Sequence, residues 1–248
     1  MKTKELLLTK SSVVALSAIA LCLAGCGTTN QQEQASNTST SSVAGKFPTY
    51  YRATDGREIS IGTSVTADNG WKFKEPHMNT CWIADGCTFN GYDVLYIAPT
   101  LSTAKFHDDE VTPHELAKQN LVTELQRELG SKGIFPKIVT AESGIPPGSH
   151  VLTVENTIVE YKKGGGGARY WAGLYGAGQP VLRVQGKMTD GDKTIFTYEA
   201  RRSGTSGGAR VFGGYMRDED IQLEDIRSMT LDLSDFMAAV SGKYPPRN

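Results

Sequence analysis

Three strand-like runs lie between His150 and Ala200, and they limit the fold more than any other stretch. His150–Tyr161, Val181–Met188 and Thr194–Ala200 are rich in β-branched and aromatic residues and contain no proline. In the first run Val151, Thr153, Glu155 and Thr157 share one parity. Leu152, Val154, Ile158 and Tyr161 mostly share the other, with a phase slip near Asn156 that a bulge explains. Asp190-Gly191 lies between the second and third runs and signals a tight hairpin. Strands of this length need partners on both sides and a layer over their apolar face.

The rest of the chain supplies that layer. Tyr92–Pro99 reads as a buried strand, followed by a polar loop with His107, Asp108, Asp109 and Glu110. Thr112-Pro113-His114-Glu115 has the form of a capping box with proline in the first turn. It predicts a helix to about Leu129 with Leu121, Val122, Leu125 and Leu129 on one face and Gly130 at its end. Phe135–Val139 is a second, short strand. A closing helix over Glu219–Val240 carries Ile226, Met229, Leu233, Phe236 and Val240 on one stripe, with acids in its first turn and Gly242 after it. The expected fold class is therefore α/β, a two-layer sandwich over residues 91–248. Its mixed sheet should have about four to five strands, covered by two main helices. Residues 47–90 read as an irregular extension, with Ile59–Ile61 and Trp71–Lys74 as short strands.

The N-terminus reads as an export signal. Lys2, Lys4 and Lys10 precede an uncharged stretch over 11–24, and small residues lead into Cys26. The apolar run is too short to span a bilayer. Leu23-Ala24-Gly25-Cys26 resembles the lipobox of bacterial lipoproteins. That resemblance implies removal of residues 1–25, lipidation of Cys26 and stable anchoring through its acyl chains. Gly27, in place of an aspartate after the cysteine, implies the outer membrane and a periplasm-facing domain, with exposure at the cell surface left open. Residues 26–46, dominated by Ser, Thr, Gln and Asn, then form a lipidated tether with too little apolar content to fold. Of the four cysteines, Cys22 leaves with the signal and Cys26 takes lipid. Cys81 and Cys87 remain, six apart around Asp85-Gly86 in an exported chain, and are expected to form a disulfide.

Few residues carry a signature of chemistry. A formal charge of −1 with no basic stripe gives no sign of nucleic-acid binding. No Walker or HExxH motif occurs, and His107 and His114 lack a third spaced metal ligand. No metal, cofactor or catalytic residue is expected. Two aromatic–glycine segments stand out instead, with Arg169, Tyr170, Trp171 and Tyr175 in one and Arg210, Phe212 and Tyr215 in the other. Small residues between aromatics suit either a contact with a partner or the close packing of a crossing loop. Arg169, Arg201 and Arg210 would suit an anionic ligand.

The run Val94–Pro99 with its helix, Val159–Tyr161 with Ala168-Arg169-Tyr170, Val181–Met188 with Asp190-Gly191, and the closing helix together resemble a domain family of unknown function. That family occurs in bacterial lipoproteins, in the neighbourhood of the curli-secretion lipoprotein and the lipoprotein activators of peptidoglycan synthases. The resemblance spans roughly residues 90–241. It implies an α/β sandwich, usually without catalysis, that acts by protein contact. With the lipobox, the tether, the lack of a catalytic constellation and the two aromatic–glycine segments, the leading expectation is a non-enzymatic adaptor or assembly factor of the envelope. A homo-oligomeric assembly component, and a binding protein or enzyme for an anionic envelope ligand, are the alternatives.

Overall fold

Alternation in the long strands decides the architecture, because it gives the sheet one apolar face that two helices can cover. A computed structural model of the chain describes residues 46–74, 78–165, 178–204 and 217–247. The chain divides into two units, Met1–Ser41 and Ser42–Asn248, and every described residue lies in the second. In chain order the strands are β1 (Tyr50–Arg52), β2 (Glu58–Ser60), β3 (Thr63–Ala67), β4 (Gly70–Lys74), β5 (Thr80–Ala84), β6 (Val94–Ile97) and β7 (Leu101–Ser102). Helix α1 (Val111–Lys132) follows, then β8 (Lys137–Val139), β9 (Val151–Lys162), β10 (Val181–Asp190), β11 (Lys193–Arg202) and helix α2 (Asp218–Val240).

Among the described residues the main sheet has nine strands, in the order β3-β4-β5-β11-β10-β9-β6-β8, with β7 also on β9. It is mixed, as expected: β6 pairs in parallel with β8 and β9, and the larger half is antiparallel. The strand count is larger than the sequence suggested, because residues 47–90 are not irregular. They contribute β3, β4 and β5 to the sheet and a separate β1–β2 hairpin. The hairpin is extended by the C-terminal tail, where Arg52 N donates to Pro245 O and Arg247 N to Tyr50 O. Asp235, buried on α2, receives Arg57 from this hairpin, Lys132 from the end of α1 and the Tyr244 hydroxyl. One carboxylate thus pins both termini of the described unit to the helical layer.

The bulge expected near Asn156 sits three residues later. Arg183 pairs with Glu160 and Val184 with Ile158, so Val159 is the extra residue, and Tyr161 returns to the core face. Helix α1 also differs from its predicted bounds. A short 3-10 turn, Asp108–Glu110, precedes it. There Glu110 accepts from His107 N, and Glu115 is left to pair with Lys118 on the surface. The helix passes through Gly130 and ends at Gly133, whose φ of 59° is the left-handed stop.

The core lies between the helices and one sheet face. Leu121, Leu125 and Leu129 of α1 and Ile226, Met229, Leu233 and Phe236 of α2 meet Leu152, Val154, Ile158, Val184, Met188 and Phe196. Phe196 contacts Phe89 and Phe236, each at a 5.5 Å ring separation. No described helix is long and apolar enough to cross a membrane.

Cys81 and Cys87 are free thiols in this structure, which corrects the expected disulfide. Cys81 belongs to β5, paired with Tyr198 and Phe73, and its side chain is buried beside Met78. Three strand residues carry the chain roughly 10 Å before the turn at Asp85-Gly86, whereas a disulfide needs Cα atoms within about 7 Å. Burial pushes the Cys81 thiol pKa far above its ordinary value.

Candidate functional site

The strands that bury one parity against the helices present the other on the opposite face, and no described helix lies over it. Val151, Thr153, Glu155 and Thr157 of β9 meet Gln185 and Lys187 of β10, then Thr197 and Glu199 of β11, then Thr80 of β5. Beyond β9, the break at Ala98-Pro99 between β6 and β7 raises one wall. The segment around Glu142 and Ile145 raises another beside Tyr96. Together they enclose an open groove of about 1170 Å³, in which hydroxyls, amides and carboxylates alternate with Val151, Leu101 and Ile145.

Charges on this face are held in pairs. Lys187 lies 2.6 Å from Glu155 across the β9–β10 ladder. Arg183 donates twice to Glu199 at 3.0 Å, and Gln185 adds a bond of 2.8 Å. These bonds, the arginine's first, hold the Glu199 carboxyl below the usual range. Arg201 does the same for Glu160, with Lys162 as a second partner. Carboxylates kept ionised by guanidinium partners are poor proton donors at neutral pH. Exposed pairs of this kind add little stability and mainly fix where each charge points.

A polar cluster lies beside one end of the groove, next in the chain to the lining residues Val151 and Gly191. His150, just before β9, has Nε2 3.1 Å from Asp190 Oδ1 and Nδ1 3.0 Å from Gly91 O. Its backbone amide donates to Asp93 Oδ2 at 2.8 Å. The Tyr92 ring packs 4.5 Å from the imidazole, and its hydroxyl donates to Asp190 Oδ2.

A second cluster has the spacing of a nucleophile and its base, yet it is sealed. Ser102 Oγ is 2.9 Å from His114 Nε2. The hydroxyl also bonds the Ile158 carbonyl and accepts from Ala104 N. Phe106 stacks 4.2 Å from the His114 ring, Tyr161 meets it edge-on at 5.0 Å, and His114 is only 2% exposed. Burial lowers the His114 pKa, which favours a neutral ring. The cluster welds β7, α1 and β9 together, and none of the described cavities opens onto it.

Arg169, Tyr170, Trp171, Tyr175, Arg210, Phe212 and Tyr215 lie outside the described residues, as does Cys26. The points where the two glycine-rich segments attach are described, and they share one end of the sheet. Lys162 pairs with Val181, and Leu182 with Arg202. Gly165 N donates to Gly178 O, and Gly204 N donates to the buried Asp225 carboxylate. Arg201 does not stand ready for an anion, since it is engaged with Glu160 and its amide donates to Asn79. The groove itself was not anticipated. The polar parity of β9 was the available signal, and it needed the register of β10, β11 and β5 to become a surface.

No protein-family model matches the chain, and no curated protein matches it. Among solved structures it is similar to a single-substitution variant of the PelC dodecamer from Paraburkholderia phytofirmans, at 13% identity over 62% of this chain and 98% of that one, with a TM-score of 0.40. A second structure of the PelC dodecamer from the same organism aligns at 12% identity over 60% and 98%, with a TM-score of 0.37. Protein XCC0632 from Xanthomonas campestris, described under the family name DUF330, aligns at 10% identity over 65% and 91%, with a TM-score of 0.38.

Proposed function

We propose that this chain is a lipid-anchored envelope protein that works by contact: a non-enzymatic adaptor or assembly factor held at the outer membrane through Cys26, its folded unit facing the periplasm. The open sheet face carries the reading. It presents a groove of about 1170 Å³ whose charges are pre-paired across strands, a surface organised to be met by another folded envelope protein. The Leu23–Cys26 motif and the Ser/Thr/Gln-rich stretch after it support the anchoring.

The test is photo-crosslinking in cells with the full-length lipidated protein. A crosslinker replaces Thr197 in the groove or, as control, Thr123 on the exposed side of α1. The expected result is one reproducible envelope protein captured from Thr197 and not from Thr123, lost when Thr153 is changed to Arg with the melting temperature unchanged. Adducts only with other copies of the chain would replace the adaptor with a homo-oligomeric component. Equal capture from both positions, or none from either, would overturn the groove as the working surface.

A further inference from the structure

We infer that His150 is a proton-operated clasp that locks the β10–β11 turn onto the start of β6 and β9, at the end of the groove. A count of hydrogen-bond donors leads there. Gly91 O is a carbonyl and Asp190 Oδ1 belongs to a carboxylate that already accepts from the Tyr92 hydroxyl, so neither offers a proton. A neutral imidazole has one N–H and can satisfy only one of them, whereas the imidazolium has two and satisfies both. The ring therefore bridges both partners only when it is charged.

The surroundings agree in sign. The titratable groups facing the ring are Asp190 on the hairpin, and Asp93 and Tyr92 on the segment entering β6. The carbonyl of Gly91 first, and then Asp190, raises the His150 pKa above its ordinary value of 6.5. A histidine whose folded pKa is raised contributes stability fully below its unfolded value. That contribution is lost as pH rises through the folded value. The joined pieces matter because Val151 and Gly191, each next to a clasp residue, line the groove. Acidification should therefore close the clasp and stiffen that rim, and mild alkali should release it.

The clasp rests on the groove reading only for its effect on binding, so the test contains no partner. Hydrogen exchange is measured by mass spectrometry on the full-length lipidated protein in detergent micelles. Wild type, His150→Gln and Asp190→Asn are compared at the same pH, where intrinsic exchange rates nearly cancel. At about pH 5.5, peptides covering residues 189–194 and 91–94 should exchange about two- to tenfold faster in either variant than in wild type. At about pH 8 the His150→Gln difference should shrink to less than about twofold. An equal ratio at both pH values would make His150 a pH-independent packing residue and overturn the clasp. So would an Asp190→Asn protein that exchanges like wild type at the lower pH.

Discussion

The same three strands, β9, β10 and β11, present two faces that obey opposite rules. On the helix side Leu152, Val154, Ile158, Val184, Met188 and Phe196 are all but inaccessible to water. One residue away along each strand, Thr153, Glu155, Lys187 and Thr197 form the floor of an open groove. The first face holds the fold through apolar burial, with each large side chain contributing roughly 1.5–3 kcal/mol. The second face holds little of the fold, and its cross-strand ion pairs fix positions rather than energy. A face with so little stability at stake can be shaped for contact, and this difference makes the open face the place to look for function.

The largest test of the contrast compares neighbours in sequence. Phe196→Ala removes a ring packed between Phe89 and Phe236 and should cost about 3–5 kcal/mol in urea unfolding. Thr197→Ala, on the other face, should stay within about 0.5 kcal/mol of wild type. Comparable losses from both would mean that the groove floor is part of the core.

Gly186 sharpens the comparison, because the covered face has one polar row. Gly186 pairs directly with Asn156 on one side and Tyr198 on the other. Without a side chain there, the Tyr198 ring lies across the middle strand and its hydroxyl donates to Asn156 Oδ1 at 2.5 Å. A Cβ on Gly186 would overlap that ring. Gly186→Ala should cost about 1–3 kcal/mol through overpacking, although alanine is otherwise the better strand residue. If Tyr198→Phe shows a smaller loss than Gly186→Ala, space matters more than the hydrogen bond; the reverse order would put the bond first.

How far these faces could be read in advance depended on where the information lies. The covered face was legible because Leu121, Leu125, Leu129 and the α2 stripe repeat at helical spacing, and because Asp190-Gly191 fixes the hairpin register. The bulge was anticipated from the broken parity of β9 and misplaced by three residues. Strand β3 was missed because its core-facing residue is Ser64, whose hydroxyl accepts from Phe47 N, so Thr63–Ala67 shows no apolar alternation. Strand β5 was hidden by its cysteine. Thr80–Ala84 alternates as a strand should, but the spacing to Cys87 suggested a loop. The groove depends on register and on the break at Ala98-Pro99, which bring together residues from six separate stretches of chain. No local pattern encodes that meeting. The two aromatic–glycine segments were the most conspicuous motifs, and the structure describes only where they attach.

The smallest expected effect is the most exacting test of the open face. Lys187 and Glu155 are directly cross-strand and 2.6 Å apart, with both side chains about half exposed. Lys187→Ala should change stability by less than about 0.5 kcal/mol, because solvent and salt screen the pair and ordering two long side chains offsets much of its attraction. Reversing the pair, Lys187→Glu with Glu155→Lys, should restore whatever the single changes remove while inverting the local pattern of charge. Stability and partner capture should therefore separate. The doubly reversed protein should melt with wild type yet capture its partner less well, since charge placement across an interface sets orientation and association rate more than the strength of the fold. If the reversed pair melts with wild type and also captures normally, the groove's charges serve neither face, and contact must be carried by the hydroxyls and apolar walls around them.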